Sequence, residues 1–112
     1  MISILAATAQ SLALAGALGL DPQLFLDAID GGPVNSPYAQ LKGRAMLSRA
    51  YEPSFTVGGV IKDLDLIMAA ADSAGVGSDM LAAARNSLLA AQDGGHGNQD
   101  MAAIYEAIAP PT

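Results

Sequence analysis

Two adjacent charged residues, Lys62 and Asp63, follow a glycine pair in the segment VGGVIKDLDLIMAAADSAG, Val57 to Gly75. A helix opening just after Gly58 and Gly59 puts Lys62 in its first or second turn, where the positive end of the helix dipole disfavours a cation. The chain has only two lysines, Lys42 and Lys62. Placed against the dipole, Lys62 could be aimed, together with free amides near Gly58 and Gly59, at an anionic or carbonyl oxygen of a ligand. Asp63 is well placed near the positive helix end and could orient its surroundings. The plainer alternative is a surface lysine paired with Asp65 at i+3, worth a few tenths of a kcal/mol.

Other reactive side chains are sparse. His96 lies in DGGHGNQD, a glycine-rich joint, where a lone histidine reads as a capping or solvent-facing residue because acid–base work needs an oriented partner. Ser36, followed by Pro37, reads as a helix cap and not as a nucleophile. No cysteine and a single histidine leave no zinc site and no disulfide framework, which fits a reducing, cytoplasmic setting. The glycine pairs at 31–32, 58–59 and 94–95 follow no predicted strand and form no G-x-G-x-x-G, so they read as turns and helix boundaries.

The elements that must position these residues are helices. At 112 residues, with 52% hydrophobic and 14% charged residues, the chain suits one compact domain and leaves no room for a nucleotide-binding sheet of its own. Punctuation divides it into about six helices without a convincing strand, an all-α bundle. The first runs from about Ile2 to Leu18 and closes at Gly19. Asp21-Pro22 opens a short second helix to about Asp30, and Ser36-Pro37 a third towards Met46. The fourth begins near Val57 or Gly59 and stops at Gly75, with Ile61, Leu64, Ile67, Met68 and Ala71 on its apolar stripe. Ser78 or Asp79 caps the fifth, and Asn98 caps the last, which ends before Pro110.

Eleven acidic against five basic residues, a formal charge of −6, argue against nucleic-acid binding, so any anion site must be local. Three of the cations, Lys42, Arg44 and Arg49, cluster; they read as a solvated helix end or as part of an anion-binding rim. Met1 to Leu20 carries no charge, yet no basic residue precedes Lys42 as a signal peptide requires, and Ser3, Thr8, Gln10 and Ser11 dilute the run. A buried helix is preferred to a membrane role.

The order of these pieces is distinctive. SLALAGALGLDPQLFLDAIDGG, then PSFTVGGVIKDLDLIMAAADSAGV, then GGHGNQDMAAIYEAI resembles the C-terminal helical domain of the β-hydroxyacid dehydrogenases, the group of 3-hydroxyisobutyrate dehydrogenase, related to 6-phosphogluconate dehydrogenase. The most specific part is Phe55 followed by Lys62-Asp63-Leu64. The resemblance implies that Lys62 contacts a nicotinamide cofactor, NAD or NADP, that Asp63 supports it and that Phe55 lines the cleft between two domains. It also calls for an N-terminal Rossmann domain and for a catalytic lysine followed four residues later by asparagine, both upstream of Met1. The chain therefore reads as the C-terminal part of a two-domain enzyme acting on a small hydroxy acid. By itself it would hold no catalytic residue, bind no cofactor tightly and be inactive. The rival reading is a small helical interaction or oligomerisation protein without catalysis.

The first helix is apolar on nearly every side, more than one small bundle covers, which points to a homodimer or a higher homo-oligomer with Ile2 to Leu18 at or near the interface. At roughly 25 cal/mol per Å² of apolar area, a few hundred Å² supplies a substantial drive, partly consumed by association entropy. Light scattering on the chain at tens of micromolar should therefore report a dimer or larger species, and a strict monomer would show that the bundle covers this helix unaided.

Overall fold

A computed structural model of the chain describes residues 1–111. It is an all-α bundle: α1 (Ile2–Ala17), α2 (Gln23–Ile29), α3 (Pro37–Ser48), α4 (Val57–Ser73), α5 (Asp79–Ala91) and a short α6 (Tyr105–Ile108). A wide π-type turn at Gln92–His96 and a 3-10 turn at Met101–Ile104 link α5 to α6. Among the described residues the only strand-like pairing is an isolated antiparallel bridge between Thr56 and Asp100.

The helix ends follow local chemistry. Ser36 Oγ accepts from the Ala39 amide at 3.0 Å with Pro37 opening α3, and Asp21 Oδ1 accepts from the Gln23 amide ahead of α2. Gly19 and Gly75, at φ +83° and +72°, take the left-handed conformation that ends α1 and α4 and that side chains resist. Ser78 precedes α5 but makes no side-chain cap bond; Asp79 in the first turn offers its charge to the dipole instead. Asn98 does not cap the last helix. That role falls to Asp100, whose side chain accepts from the Ala102 amide, because the joint continues two residues further before the backbone turns.

The core gathers on the 3-10 turn. Met101, Ala102, Ala103, Ile104 and Tyr105 are all buried, and Leu5, Ala9 and Leu12 of α1, Leu88 and Ala91 of α5, Val57, Val60 and Leu64 of α4 and Met46 of α3 belong to the same cluster. Helix α1 buries one face only, through Ile2, Leu5, Thr8, Ala9, Leu12 and Ala13. Leu14 and Leu18 remain 61% and 68% exposed, so the chain alone does not surround its most apolar helix. Helix α4 is likewise buried only near its start, at Val57, Val60, Ile61 and Leu64. The expected apolar stripe continues to Ile67, Met68 and Ala71, but Ile67 is exposed and the other two are half-buried. The physical reason is length: 17 residues extend about 25 Å, and the far half of α4 runs with α5 beyond the rest of the bundle.

One buried charge ties the two halves of the chain together. Asp100, 3% exposed, receives Lys42 Nζ at 2.9 Å and the Ala102 amide at 3.0 Å on Oδ2. Its Oδ1 receives the Ser54 amide at 3.0 Å, Ser54 Oγ at 3.1 Å and the Phe55 amide at 3.4 Å. Lys42, 6% exposed, also donates to Ser54 Oγ at 3.3 Å. The cluster Lys42, Arg44, Arg49 is thus not a single solvated end, because Lys42 is drawn inside while the two arginines stay exposed. Lys42 points into the bundle, Arg49 pairs with Glu106 and lies over the Tyr105 ring, and Arg44 is exposed. A buried charge is costly unless paired and hydrogen-bonded, and Asp100 meets both conditions.

Burial pushes the Asp100 carboxyl upward, but the Ala102 amide, Lys42 and the Ser54 amide together outweigh it and hold the group below the ordinary carboxylate range. A depressed folded value means that this contribution is complete above the unfolded carboxyl value and is lost as acid protonates the folded group. Replacing Asp100 with Asn leaves the Lys42 ammonium buried without its counter-charge. Asp100→Asn should therefore cost about 3–5 kcal/mol at neutral pH, and the gap from the parent should narrow as pH falls through the carboxylate range. Chemical denaturation of both proteins across pH measures this; a gap independent of pH would contradict it.

Candidate functional site

The segment from Tyr51 to Gly59 is held by the segment from Gly97 to Met101. The Asp100 amide donates to Tyr51 O at 2.9 Å, Met101 N to Phe55 O at 2.8 Å, Val57 N to Gln99 O at 2.9 Å and Gly58 N to Gly97 O at 3.0 Å. The backbones approach so closely that a Cβ on Gly58 would meet Gly97 O at 3.3 Å. Thr56 then caps α4, its Oγ1 accepting from the Gly59 amide at 3.0 Å.

These bonds correct one expectation. The amides of Gly58 and Gly59 are not free for a ligand: Gly97 O takes one and Thr56 Oγ1 the other, while Val60 N is bound to Thr56 O. The helix start is spent on docking the Gly97–Met101 segment, so any ligand contact on α4 must come from side chains.

Those side chains share one face. A Cβ on Gly59 would lie 2.4 Å from Phe55 Cε1, so the phenyl ring rests directly on this glycine. Lys62 and Asp63 follow at i+3 and i+4 from Gly59, one turn along the same face, and both are exposed. The expected pairing of Lys62 with Asp65 does not form, because Asp65 Oδ1 accepts from Arg85 Nε of α5 at 2.7 Å. Among the described residues Lys62 and Asp63 take part in no ion pair or side-chain hydrogen bond. Phe55 is half-buried, packed against the core on one side and open on the other.

This set can do specific chemistry. An unneutralised ammonium offers donors and charge to a phosphate, carboxylate or amide oxygen, Asp63 can accept from a hydroxyl or amide, and the ring gives a flat apolar wall. It suits one polar edge of the nicotinamide cofactor implied by the resemblance. It does not suit the diphosphate, which needs the backbone amide cradle that this helix start has used elsewhere. Other concave regions of the surface have other walls; one of about 480 Å³ is lined by Arg49, His96, Glu106 and residues of the C-terminal end.

The remaining candidates are structural. His96 is half-buried with Nδ1 2.5 Å from Gln99 Oε1, closing the glycine joint as a local cap would. The Tyr51 hydroxyl donates to Glu106 Oε2 at 2.6 Å; burial first, then this bond, pushes the phenol well up. Tyr38, whose hydroxyl donates to Met101 Sδ at 3.1 Å, is raised to about 12 by burial and by the charge of Asp100. Both phenols stay protonated at neutral pH. Sequence reasoning missed Lys42, Ser54 and Asp100; the one local signal was an aspartate two residues before Ala102, in the position of a helix cap.

Comparison with known proteins gives this arrangement its setting. The chain is 30% identical over 108 residues to a glyoxylate/succinic semialdehyde reductase 2, chloroplastic, of Arabidopsis thaliana, covering 96% of this chain and 30% of that protein. It is 30% identical over 105 residues to the cytokine-like nuclear factor N-PAC of Homo sapiens, covering 94% and 19%. Among solved structures, a 3-hydroxyisobutyrate dehydrogenase from Salmonella typhimurium shares the fold at a TM-score of 0.84 and 24% identity, over 94% of this chain and 37% of that one. The chain thus spans a third or less of the length of these curated relatives. The family model described as NAD-binding of NADP-dependent 3-hydroxyisobutyrate dehydrogenase matches residues 1–108, and the chain belongs to that family.

Proposed function

We propose that this chain is the C-terminal, substrate-side domain of an NAD(P)-dependent β-hydroxyacid dehydrogenase of the 3-hydroxyisobutyrate dehydrogenase type, related to 6-phosphogluconate dehydrogenase. The observation that carries the reading is the open face of α4, where Lys62 and Asp63 stand without protein partners one turn beyond a phenyl ring seated on Gly59. An isolated surface lysine gains nothing from such a setting. A lysine facing a second domain does.

In this reading a dinucleotide-binding domain precedes the chain and closes a cleft against α4. The cofactor supplies hydride exchange with the hydroxyl carbon of a small hydroxy acid. Lys62 donates to a polar edge of the cofactor, Asp63 supports that contact, and Phe55 forms an apolar wall that keeps water away. The general acid/base lysine lies upstream of these residues, so the chain contributes binding and orientation and leaves proton transfer to another segment. Small carboxylic acids are the substrate class, in keeping with the names of the reductase and dehydrogenase relatives.

A second reading rests on a different observation. Relatives named as a nuclear factor match 94% of the chain, between the 96% and 88% matched by two enzyme relatives, and Leu14, Leu18, Leu20 and Leu24 are all more than half exposed. A domain that only associates, without catalysis, would keep that apolar surface and have no use for a bare Lys62. The two readings therefore differ at that residue.

In a two-domain protein carrying a dinucleotide-binding domain, Lys62→Ala should weaken cofactor binding by about 1–3 kcal/mol, the scale of a charge-assisted hydrogen bond, with almost no change in melting temperature. Cofactor titration beside thermal melting checks both halves; unchanged affinity would favour the non-catalytic reading. The 112-residue chain alone should give a helical circular dichroism spectrum and no turnover of hydroxy acids with either cofactor.

A further inference from the structure

We propose that Asp100, with Lys42 as its counter-charge, is a positioning residue for the cofactor-facing side of α4, fixing the Ser54–Thr56 turn that places Phe55 and starts the helix carrying Lys62 and Asp63. This rests on the reading of that face given above.

The geometry separates what Asp100 does for the core from what it does for the turn. The core side is met by Lys42 Nζ and the Ala102 amide on Oδ2. The other oxygen, Oδ1, is given over to the turn: the Ser54 amide, the Ser54 hydroxyl and the Phe55 amide all converge on it. Glu52, Pro53 and Ser54 are exposed, and the apolar anchors nearby are the inner side of Phe55 and the flanking Tyr51 and Val57, which leave the polar backbone of the turn to be fixed by hydrogen bonds. Its order comes from the carboxylate and from the flanking backbone bonds of Tyr51 O, Phe55 O, Val57 N and Gly58 N to the Gly97–Met101 segment.

Stability alone does not account for the arrangement. Apolar side chains of similar volume commonly replace a buried ion pair without loss, so a bundle that needed only cohesion could fill this space with them. An apolar pair cannot accept three donors from one turn. The consequence is local: Phe55 follows Ser54 directly, its ring lies on Gly59, and Lys62 and Asp63 come one turn later. A turn free to move carries the ring with it and loosens the first turn of α4, because Thr56 is the cap. Side chains that must meet a ligand lose heavily from displacements of about 1 Å.

The test compares variants by two readouts. In the 112-residue chain, amide hydrogen exchange followed by NMR should speed up by about tenfold or more at Ser54, Phe55 and Val57–Gly59 in Asp100→Asn, beyond the change at Leu12 and Leu88 that reports global stability. In the protein that joins the chain to a dinucleotide-binding domain, the same variant should raise the KM for NAD or NADP by about tenfold or more, with kcat for the hydroxy acid changed less. Leu88→Ala, which opens a core cavity on α5 and removes no hydrogen bond of the turn, serves as the destabilised control and should leave that KM in place. Should Asp100→Asn fail to fold, the double variant Lys42→Met, Asp100→Leu restores a neutral interior while removing the acceptor, and the same local exchange and raised KM are expected.

Unaltered exchange at Ser54–Gly59, or a cofactor KM that rises in Leu88→Ala as far as in the Asp100 variants at a matched loss of melting temperature, overturns the assignment. Lys62→Ala run in parallel separates the two ways of being wrong. A raised KM in Lys62→Ala with none in the Asp100 variants defeats the positioning role alone. A silent Lys62→Ala defeats the cofactor-facing reading, and the positioning role falls with it.

Discussion

Burying a carboxylate in a small helical bundle is tolerable only if every lone pair finds a donor, and in this chain that requirement organises the joint between the third, fourth and last helices. Asp100 draws its donors from three places distant in sequence: Lys42 on α3, the turn at Ser54 and Phe55 before α4, and Ala102 at the start of the closing segment. Lys42 and Asp100 are 58 residues apart. Because each donor is satisfied only when its element is docked, the charge acts as a register mark, and apolar contacts fill in around it. Val57, Val60 and Leu64 reach the core through the N-terminal half of α4, which this joint holds in place.

The same economy explains why the far half of α4 and the start of α5 look unfinished. Leu66, Val76 and Met80 are 60–72% exposed, and the Arg85–Asp65 pair across the two helices lies on the outside, where it contributes little. Helix α1 shows the matching imbalance, with Leu5, Ala9 and Leu12 sealed and Leu14 open to solvent. The reductase and nuclear-factor relatives are roughly three or more times the length of this chain. The bundle is complete around the Met101–Tyr105 segment and incomplete at its edges, and the proposed ligand-facing residues lie on one of those open faces.

Much of the fold was legible because helix boundaries are written locally. Ser36-Pro37, Asp21-Pro22, Gly19 and Gly75 signal their roles through a side chain and its next neighbours, and each ends or begins a helix as its chemistry requires. Lys62 and Asp63 stood out by their place at the start of a helix, their proposed cofactor role and that of Phe55 came only from a resemblance, and the ring on Gly59 gives the spacing of the three a physical sense. What stayed hidden were non-local contacts. Lys42 sits beside Arg44 and Arg49 and has the look of a solvated cluster, and nothing near it announces a carboxylate 58 residues away. The amides of Gly58 and Gly59 resembled a vacant anion site because their acceptors, Gly97 O and Thr56 Oγ1, depend on how a glycine joint folds back. Asn98 and Asp100 are equally good caps by type, and only the path of the joint decides between them.

The central claim is that Asp100 is buried as a charged hub. Carbon-detected NMR of the Asp100 side-chain carboxyl, followed down in pH while the chain remains folded, tests it most directly. The account predicts a midpoint below about 3.9, the value of an unperturbed aspartate, with the amide signals of Ser54, Phe55 and Ala102 moving in the same titration. A carboxyl that titrates at or above that value, with those amides unmoved, would mean that burial outweighs its partners and that the joint is held by something else.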